Sequence, residues 1–363
     1  MLKIGVAGLG FAGMLHAKAA AACAWQADGP DIRLAAVADP RGEVTAGLAR
    51  RHPDLRSFED GIALARDAEV DAVVVAVPNA QHAAVACAAL EAGKPVLIEK
   101  PLAAQWDDAR AIANAAARGG VPVSAGYVFL NSPAVAWAIQ TVRAGDLGVP
   151  LHIALTHAED YAAVQGPAHG EWRADPAQAG FGALGDLGAH ALSLGLALCG
   201  PVRRVSALMG RVPGRTSATD DHASALIAFA GGAQGTVTAS RVARGRKMHL
   251  GFELHATGGS LLFDHERPNE IRVCRSGDDG FATHLIGPGH PHYAGFLPAA
   301  GHGLGFADLF TIQMRLWAES LLGGAPFAAD LGFAMSVEAL LHDLARAAGS
   351  GGWVDTDQRG SAA

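Results

Sequence analysis

The first third of the chain alternates short apolar runs with longer alanine-rich stretches. The apolar runs predict strands at Lys3–Ala7, Leu34–Ala38, Ala72–Val77, Pro95–Ile98 and Pro122–Ala125. The stretches between them predict helices at Gly13–Trp25, Glu43–Arg51, Phe58–Ala65, Ala80–Ala92 and Ala104–Arg118. A run such as Val73–Val75 is apolar at every position, which is typical of a strand buried on both faces. The alternation predicts a parallel, doubly wound sheet, in which ligands bind at the C-terminal ends of the strands.

Beyond residue 125 the pattern changes to strands that follow one another with short turns. Strands are predicted at Leu151–Ala158, Val202–Val212, His222–Ala230, Gly235–Val242, Met248–Thr257, Ser260–Asp264 and Glu270–Arg275. Helices are predicted at Ser132–Ala144, Gly185–Leu198, Phe306–Leu322 and Asp330–Ala347. Consecutive strands joined by turns favour an antiparallel or mixed sheet. Because 363 residues exceed one ordinary Rossmann unit, we expect a dinucleotide-binding domain, 1–124, and an α+β domain for substrate binding and oligomerisation, 125–363.

Three glycines follow the first predicted strand with the spacing of a dinucleotide-binding turn. They are Gly8, Gly10 and Gly13, with Phe11 and Ala12 between the last two. The first glycine permits a tight turn, the second lets a pyrophosphate approach the backbone, and the third lets helix and strand pack closely. The helix N-terminus then faces the phosphates with its partial positive charge. A plain turn is the alternative, but the strand before it and the helix after it favour a dinucleotide site.

The second predicted strand ends in Asp39, which is followed by Pro40. A carboxylate at this place accepts hydrogen bonds from both hydroxyls of an adenosine ribose and repels a 2′-phosphate. Asp39 and Pro40 therefore predict NAD as the cofactor. NADP stays open as the less favoured alternative, because the guanidinium of Arg41 is able to meet a phosphate.

Two further predicted strands end in polar residues at the same edge of the sheet. Pro78, Asn79 and His82 follow one strand and are candidates for contact with ribose or nicotinamide, although Asn79 is equally suited to cap the next helix. Glu99 and Lys100 follow the other strand, where the nicotinamide half of the cofactor is expected. An ammonium group there polarises a substrate oxygen or stabilises an alkoxide. The alternative is a surface Glu–Lys pair.

Composition narrows the classes of partner. The net charge of −7 and the pI near 6.1 provide no basic surface for nucleic acid or anionic membranes. The cysteines Cys23, Cys87, Cys199 and Cys274 form no CxxC pair, which indicates a reduced, cytoplasmic protein. The chain begins directly with a strand, and polar residues and proline interrupt its uncharged stretches. We therefore expect no signal peptide and no membrane span.

Five motifs together make the chain resemble the Gfo/Idh/MocA oxidoreductase family. They are Gly8-Leu-Gly10-Phe-Ala-Gly13, Asp39, Pro78-Asn79 with His82, Glu99-Lys100-Pro101, and the segment from Gly182 to His190, which ends in Asp-x-x-x-His. The motifs cover nearly the whole chain. The resemblance implies a Rossmann domain followed by an open, mainly antiparallel sheet domain, and an NAD(P)-dependent dehydrogenase acting on a sugar or polyol. It also implies that Lys100, Asp186 and His190 form the catalytic set.

The residues themselves agree with this catalytic set. Asp186 and His190 are four residues apart on a predicted helix, so their side chains share one face. Oxidation of a secondary alcohol needs a base for the hydroxyl proton, and histidine titrates near the working pH. We assign His190 as that base, Lys100 as the group that binds the reacting oxygen, and Asp186 as a ligand of a substrate hydroxyl. Lys100 stays open as the alternative base. A buried helix pair, or a zinc site completed by histidines such as His157, is the other interpretation, and we expect no metal.

Four further residues are candidates for substrate binding. Tyr127 follows the change of pattern, His157 ends a predicted strand, Arg173 precedes the glycine-rich segment, and His302 lies in a loop between glycines. Each is also suited to a purely structural or surface role.

The sequence thus predicts an NAD-dependent dehydrogenase that oxidises a ring secondary alcohol of an inositol or aldohexose type of substrate to a ketone or lactone. Several strands of the second domain are apolar on both faces, which favours a homodimer or homotetramer. Two alternatives stay open. One is an NAD-dependent glycosidase of the same superfamily, and the other is a non-catalytic regulator that senses dinucleotides.

Overall fold

The structure is a computed structural model that describes residues 1–26, 28–163, 171–297 and 299–356. Its α-helices are α1 Phe11–Cys23, α2 Gly42–Ala49, α3 Gly61–Arg66, α4 His82–Glu91, α5 Trp106–Gly119, α6 Pro133–Arg143, α7 Pro176–Ala179, α8 Ala189–Cys199, α9 Phe306–Leu321 and α10 Leu331–Ser350. Its strands are β1 Leu2–Ala7, β2 Ile32–Ala38, β3 Arg56–Phe58, β4 Ala72–Val75, β5 Val96–Ile98, β6 Val123–Ala125, β7 Pro150–Ala158, β8 Val202–Gly210, β9 His222–Phe229, β10 Gln234–Ser240, β11 His249–Ala256, β12 Gly259–Asp264, β13 Glu270–Arg275, β14 Ala282–Leu285 and β15 Val354–Asp355.

The chain divides into two compact units. The first unit comprises the described residues of Met1–Val128 and Phe306–Met335, and the second unit those of Phe129–Gly305 and Ser336–Ala363. The predicted division into 1–124 and 125–363 is a division by function, and it stays a prediction.

The sheet of the first unit is parallel. Within the described residues its strand order is β3-β2-β1-β4-β5-β6, and every neighbouring pair runs in the same direction. This is the strand order of the doubly wound dinucleotide-binding fold. β4 and β5 are buried at every position, as their continuous apolar runs require. The predicted doubly wound sheet is confirmed.

One helix from late in the chain completes the first unit. α9 packs along α1, where the ring of His16 meets Phe310 edge-on with centroids 5.0 Å apart. Near the other end of α1, the thiol of Cys23 donates to the carbonyl of Thr311 at 3.6 Å. Burial raises the pKa of that thiol to about 12, so Cys23 stays a neutral part of the helix contact.

The sheet of the second unit is open and mainly antiparallel, as predicted. Its order within the described residues is β14-β13-β12-β11-β7-β10-β9-β8-β15, and only β7 and β10 pair in parallel. α8 covers one face closely, because a Cβ on Gly195 would lie 2.8 Å from Cδ1 of Leu155. Along β9 and β10 exposed residues alternate with buried ones, so the opposite face is open.

Three strands, β3, β14 and β15, together with the short helix α7 and the start of α3, differ most from the prediction. β3 and β14 were missed because both are short edge strands with mostly exposed residues and no apolar pattern. α3 begins at Gly61 rather than at Phe58. Asp60 caps it, accepting the N–H groups of Ile62 and Ala63 at 3.1 Å each.

A single stretch of the described chain, Pro176–Cys199, has the length and hydropathy that crossing a membrane requires. In the structure 78% of its most apolar window is buried. Core helices pass the same test of length and composition.

Candidate active site

The turn between β1 and α1 has the shape of a pyrophosphate cradle. Gly8 has a φ of +89°, and a Cβ on it would lie 2.5 Å from the carbonyl oxygen of Ala76. A Cβ on Gly13 would lie 1.8 Å from the carbonyl oxygen of Gly8. Both positions therefore require glycine. Around Gly10, by contrast, no described atom beyond Gly10 and its two chain neighbours lies within 4 Å of the Cβ position, which leaves room for a phosphate beside the helix N-terminus.

Asp39 lies where β2 ends and is 4% exposed. It accepts the N–H of Leu9, from the glycine turn, at 2.8 Å. Burial alone would raise the pKa of Asp39, but hydrogen bonds from the Arg41 side chain and from the backbone of Leu9 and Arg41 hold that pKa below its usual value. A charged carboxylate beside the glycine turn fits the ribose of a dinucleotide. Pro40, next in the chain, is exposed.

The predicted cofactor contacts after β4 are mostly buried. Asn79 is 8% exposed and opens a 3₁₀ turn, Asn79–Gln81. The ring nitrogens of His82 face backbone carbonyls: Nε2 is 2.9 Å from the oxygen of Val77, and Nδ1 is 3.1 Å from that of Pro101. Burial lowers the pKa of His82, so its ring is neutral. His82 thus connects the end of β4 to the turn after Lys100, and a contact with cofactor stays a prediction.

Glu99 and Lys100 follow β5, and a buried histidine supports them. Oε1 of Glu99 lies 2.7 Å from Nε2 of His16, and Oε2 accepts the N–H of Lys100 at 3.2 Å. His16 is fully buried on α1. Sequence reasoning missed it, although its position three residues after Gly13 places it on the same helix face. Glu99, held by His16, thus fixes the backbone from which the Lys100 side chain extends.

Two predicted contacts of the first unit differ in exposure. Phe11 is 70% exposed and stacks on Phe306 with ring centroids 6.1 Å apart. Tyr127 is 1% exposed and meets Phe333 edge-on at 5.8 Å, as a core residue does. Ala12 is partly exposed beside Phe11.

In the second unit Asp186 lies on a π-helical turn, Leu184–Gly188, that leads into α8. Asp220 anchors this turn, since its carboxylate accepts the N–H of Gly182 at 2.6 Å and that of Leu184 at 2.8 Å. A Cβ on Gly182 would lie 1.9 Å from the carbonyl oxygen of Asp220, which explains that glycine. The turn was predicted as ordinary helix. Turns of this type are frequent at functional sites.

Polar side chains lie beside the carboxylate of Asp186. The hydroxyl of Tyr161 donates to its Oδ2 at 2.7 Å, and Nε of Arg173 lies 3.8 Å from the same atom. Burial, and then the Asp186 charge, raise the pKa of Tyr161, so the phenol remains a donor. The Arg173 guanidinium also stacks over the ring of Trp172 at 4.4 Å. Sequence reasoning found Arg173 and missed Tyr161.

Three histidines surround the ring of Phe129. The ring centroids of His190, His265 and His157 lie 4.7, 4.9 and 6.0 Å from that of Phe129, each edge-on. The rings of His157 and His190 are 5.6 Å apart. Nδ1 of His157 lies 3.0 Å from the carbonyl oxygen of Leu187, on the π-helical turn, which brings β7 to the catalytic candidates. Burial, then the neighbouring His157, lower the pKa of His265 to about 4.

His302 is an exposed loop residue whose carbonyl accepts a hydrogen bond from the hydroxyl of Tyr293. Among the described residues, His249, Asp264 and Glu266 form a group with ligand atoms within 4.8 Å of one another. The N–H of Lys247 and the guanidinium of Arg246 already donate to Glu266. That group includes neither Asp186 nor His190.

The fold and the cradle define the protein as an NAD-dependent oxidoreductase. Residues 2–127 match the family model of oxidoreductases with an NAD-binding Rossmann fold, Gfo/Idh/MocA, and residues 135–262 match the Gfo/Idh/MocA C-terminal domain. The chain belongs to the Gfo/Idh/MocA oxidoreductase family. The predicted family, enzyme class and cofactor are confirmed.

Named relatives resemble the chain to different extents. Levoglucosan dehydrogenase of Pseudarthrobacter phenanthrenivorans is 30% identical, over 98% of each chain. Inositol 2-dehydrogenase 1 of Saccharopolyspora erythraea is 37% identical, over 43% of this chain and 45% of its own. Among solved structures, levoglucosan dehydrogenase in complex with NADH has a TM-score of 0.93 at 30% identity, covering 98% of this chain and 99% of that one. An NAD-binding oxidoreductase from Klebsiella pneumoniae has a TM-score of 0.90 at 33% identity, with the same coverage.

Proposed function

We propose that this protein oxidises a ring secondary alcohol of a sugar or cyclic polyol to a ketone or lactone, with NAD as the oxidant. The observation that carries the proposal is the group around Asp186 and His190. It joins a carboxylate, an imidazole and polar donors to the apolar ring of Phe129. The ring of Phe129 is 3% exposed and packs the histidines, so the polar groups are the ones that suit the hydroxyl groups at the rim of a sugar ring. Relatives that act on levoglucosan and inositol support this substrate class.

Bound NAD supplies the hydride acceptor. His190 takes the proton of the reacting hydroxyl, and the ammonium of Lys100 binds the reacting oxygen and stabilises negative charge on it. Asp186 accepts a hydrogen bond from a neighbouring substrate hydroxyl, while Tyr161 and Arg173 hold its carboxylate in place. His157 is 1% exposed, and its contact with substrate stays a prediction. Contacts from Tyr127 and His302 stay predictions.

An anhydrosugar is the leading substrate. The levoglucosan dehydrogenase matches this chain over 98% of its length, whereas the inositol 2-dehydrogenase matches 43% of it. Likeness over the full length includes the unit that carries Asp186 and His190. We therefore rank levoglucosan-type sugars and hexoses ahead of inositols.

A substrate panel tests the proposal. Levoglucosan, hexoses, inositols and uronic acids are each offered with NAD or NADP, and absorbance at 340 nm is followed. We expect NADH to accumulate with a neutral ring alcohol and NAD to be preferred. Cleavage of a glycoside without net NADH would instead identify a glycosidase. NADH binding without turnover of any substrate would identify a regulator.

We also propose that the protein is a cytoplasmic homodimer or homotetramer formed through the open face of the second sheet. Leu208 and Leu226 lie on this face and are 74% and 51% exposed. Exposed apolar side chains on a flat sheet favour a partner surface. The four cysteines are free, as expected in the cytoplasm. Light scattering measures the mass of the particle, and we expect Leu226→Lys to lower it toward that of a monomer. A wild-type protein that is already monomeric would contradict the assembly.

A further inference from the structure

Hydrogen-bond donors already saturate the carboxylate of Asp39. Oδ2 accepts the N–H of Leu9 at 2.8 Å and Nη2 of Arg41 at 3.0 Å. Oδ1 accepts the N–H of Arg41 at 3.0 Å and its Nε at 2.8 Å. A carboxylate offers about four lone-pair sites. All of them are used by the protein itself.

Two of these four donors are free to move away. The N–H groups of Leu9 and Arg41 belong to backbone that shapes the turn. Nε and Nη2 of Arg41 belong to a side chain that is 54% exposed, and Nη2 also donates to the carbonyl of Leu9 at 3.1 Å. The two hydroxyls of an adenosine ribose therefore reach the carboxylate only when they replace the guanidinium.

Further acidic groups surround this place. Glu43 lies in the first turn of α2 and acts electrostatically on Arg41. A carboxylate oxygen of Glu59 lies 3.6 Å from the position that a Cβ on Gly42 would take. Together with Asp39, the carboxylates of Glu43 and Glu59 disfavour a 2′-phosphate, whereas the positive charge of Arg41 attracts one.

We propose that Arg41 is a cofactor-selecting latch on Asp39. NAD binds when the guanidinium leaves the carboxylate and the ribose hydroxyls take its place. For NADP the released guanidinium pairs with the 2′-phosphate. Arg41 thus weakens the binding of NAD, strengthens that of NADP and sets the ratio between the two. The inference rests on NAD binding by the first unit and is independent of the proposed substrate.

Direct titration tests the latch without any substrate. NADH and NADPH are titrated into the wild type and Arg41→Ala by nicotinamide fluorescence, and the ratio Kd(NADPH)/Kd(NADH) is compared. We expect Arg41→Ala to bind NADH about threefold more tightly, because a half-exposed ion pair no longer competes. It should bind NADPH about tenfold more weakly, because a charge-assisted contact to phosphate is lost.

Arg50→Ala is the matched control, since Arg50 is an exposed arginine at the other end of α2 and its loss changes the net charge equally. This control should change the ratio less than twofold. A rise of threefold or more in Arg41→Ala alone supports the latch, and a smaller rise or a fall overturns it. Weak binding of both cofactors by the wild type would instead contradict NAD dependence itself.

Asp39→Asn provides a second, independent readout. The amide keeps an acceptor for the N–H of Leu9 but loses the charge that holds the guanidinium. We expect the ratio Kd(NADPH)/Kd(NADH) to fall about tenfold, because Arg41 is then released toward the 2′-phosphate. In the Asp39→Asn background, adding Arg41→Ala should no longer tighten NADH binding, because no ion pair is left to compete with the ribose. An unchanged ratio in Asp39→Asn, or a tightening of NADH by Arg41→Ala that persists in the Asp39→Asn background, overturns the latch.

Discussion

The two units form their candidate sites in different ways. In the first unit the candidate pyrophosphate cradle is backbone: Gly8 and Gly13 are required because any Cβ would clash with a carbonyl oxygen. In the second unit the candidate site consists of side chains from separate segments, since Tyr161 and Arg173 meet at the carboxylate of Asp186. A backbone site depends on the absence of atoms, and a side-chain site depends on the presence of particular groups. Substitutions should therefore act differently on the two.

The largest expected effect on NADH binding is at the backbone site. Gly13→Ala places a methyl group 1.8 Å from the carbonyl oxygen of Gly8 and must move α1 away from β1. We expect NADH binding to weaken by about 100-fold or more, because overpacking of this kind costs several kcal/mol. Fluorescence titration measures it.

Gly10→Ala is the matched control, because open space surrounds its Cβ position. It should keep the wild-type melting temperature while NADH binding weakens about tenfold, since the methyl group occupies the place of a phosphate. Equal loss of stability in both variants would contradict the difference between the two glycines.

Lys100→Ala should separate catalysis from cofactor binding. We expect kcat to fall by about 10³-fold, because the developing negative charge on the reacting oxygen loses its cation. The Kd of NADH should change less than threefold, since the glycine cradle and Asp39 are untouched. Steady-state kinetics and titration measure the two. If turnover and NADH binding disappear together, Lys100 is a structural lysine.

Mild acid should reveal the buried histidine of the second unit. The pKa of His265 is lowered from 6.5 to about 4 by burial and then by His157, so the folded state binds its proton less readily than the unfolded state. The free energy of unfolding therefore falls by about 3 kcal/mol in all as the pH is lowered from 6.5 to 4, because only the unfolded state gains the proton on His265. His265→Gln should flatten this part of the curve in urea unfolding, and exposed His302→Gln should leave it unchanged. If the free energy of unfolding of His265→Gln depends on pH as that of the wild type does, His265 is not the source of this pH dependence.

The smallest effect on catalysis is expected from the hydroxyl of Tyr161. Tyr161→Phe keeps the ring and removes the 2.7 Å hydrogen bond to Asp186. We expect kcat/KM to fall about tenfold, because a hydrogen bond to a charged group contributes about 1.5 kcal/mol. NADH binding should stay at the wild-type value. An unchanged kcat/KM would remove Tyr161 from the site.

The same contrast explains what could be predicted from the sequence. Gly8 to Gly13, Asp39 and the parallel strands were found because each lies in a short contiguous pattern. Tyr161 and His265 were missed because they reach Asp186 and Phe129 only through the fold of the second sheet. The π-helical turn was predicted as ordinary helix, since its apolar pattern does not distinguish the two and Asp220, which anchors the turn, lies in a distant segment.

Packing between distant segments was also beyond the sequence pattern. α9 reads as an amphipathic helix, but nothing in its periodicity indicates that it packs on α1. The short strands β3 and β14 carry no apolar alternation because they lie at sheet edges. The resemblance to the family supplied the expectation that Lys100, Asp186 and His190 form one catalytic set, which no local pattern contains.

Label transfer tests the central claim most directly. Levoglucosan deuterated at its ring carbons is incubated with the protein and NAD, and the NADH formed is examined by proton NMR. Hydride transfer from a ring carbinol predicts deuterium at C4 of the nicotinamide in the wild type and little product in His190→Ala. NADH without the label, or the same labelled product at an undiminished rate in His190→Ala, would contradict the account.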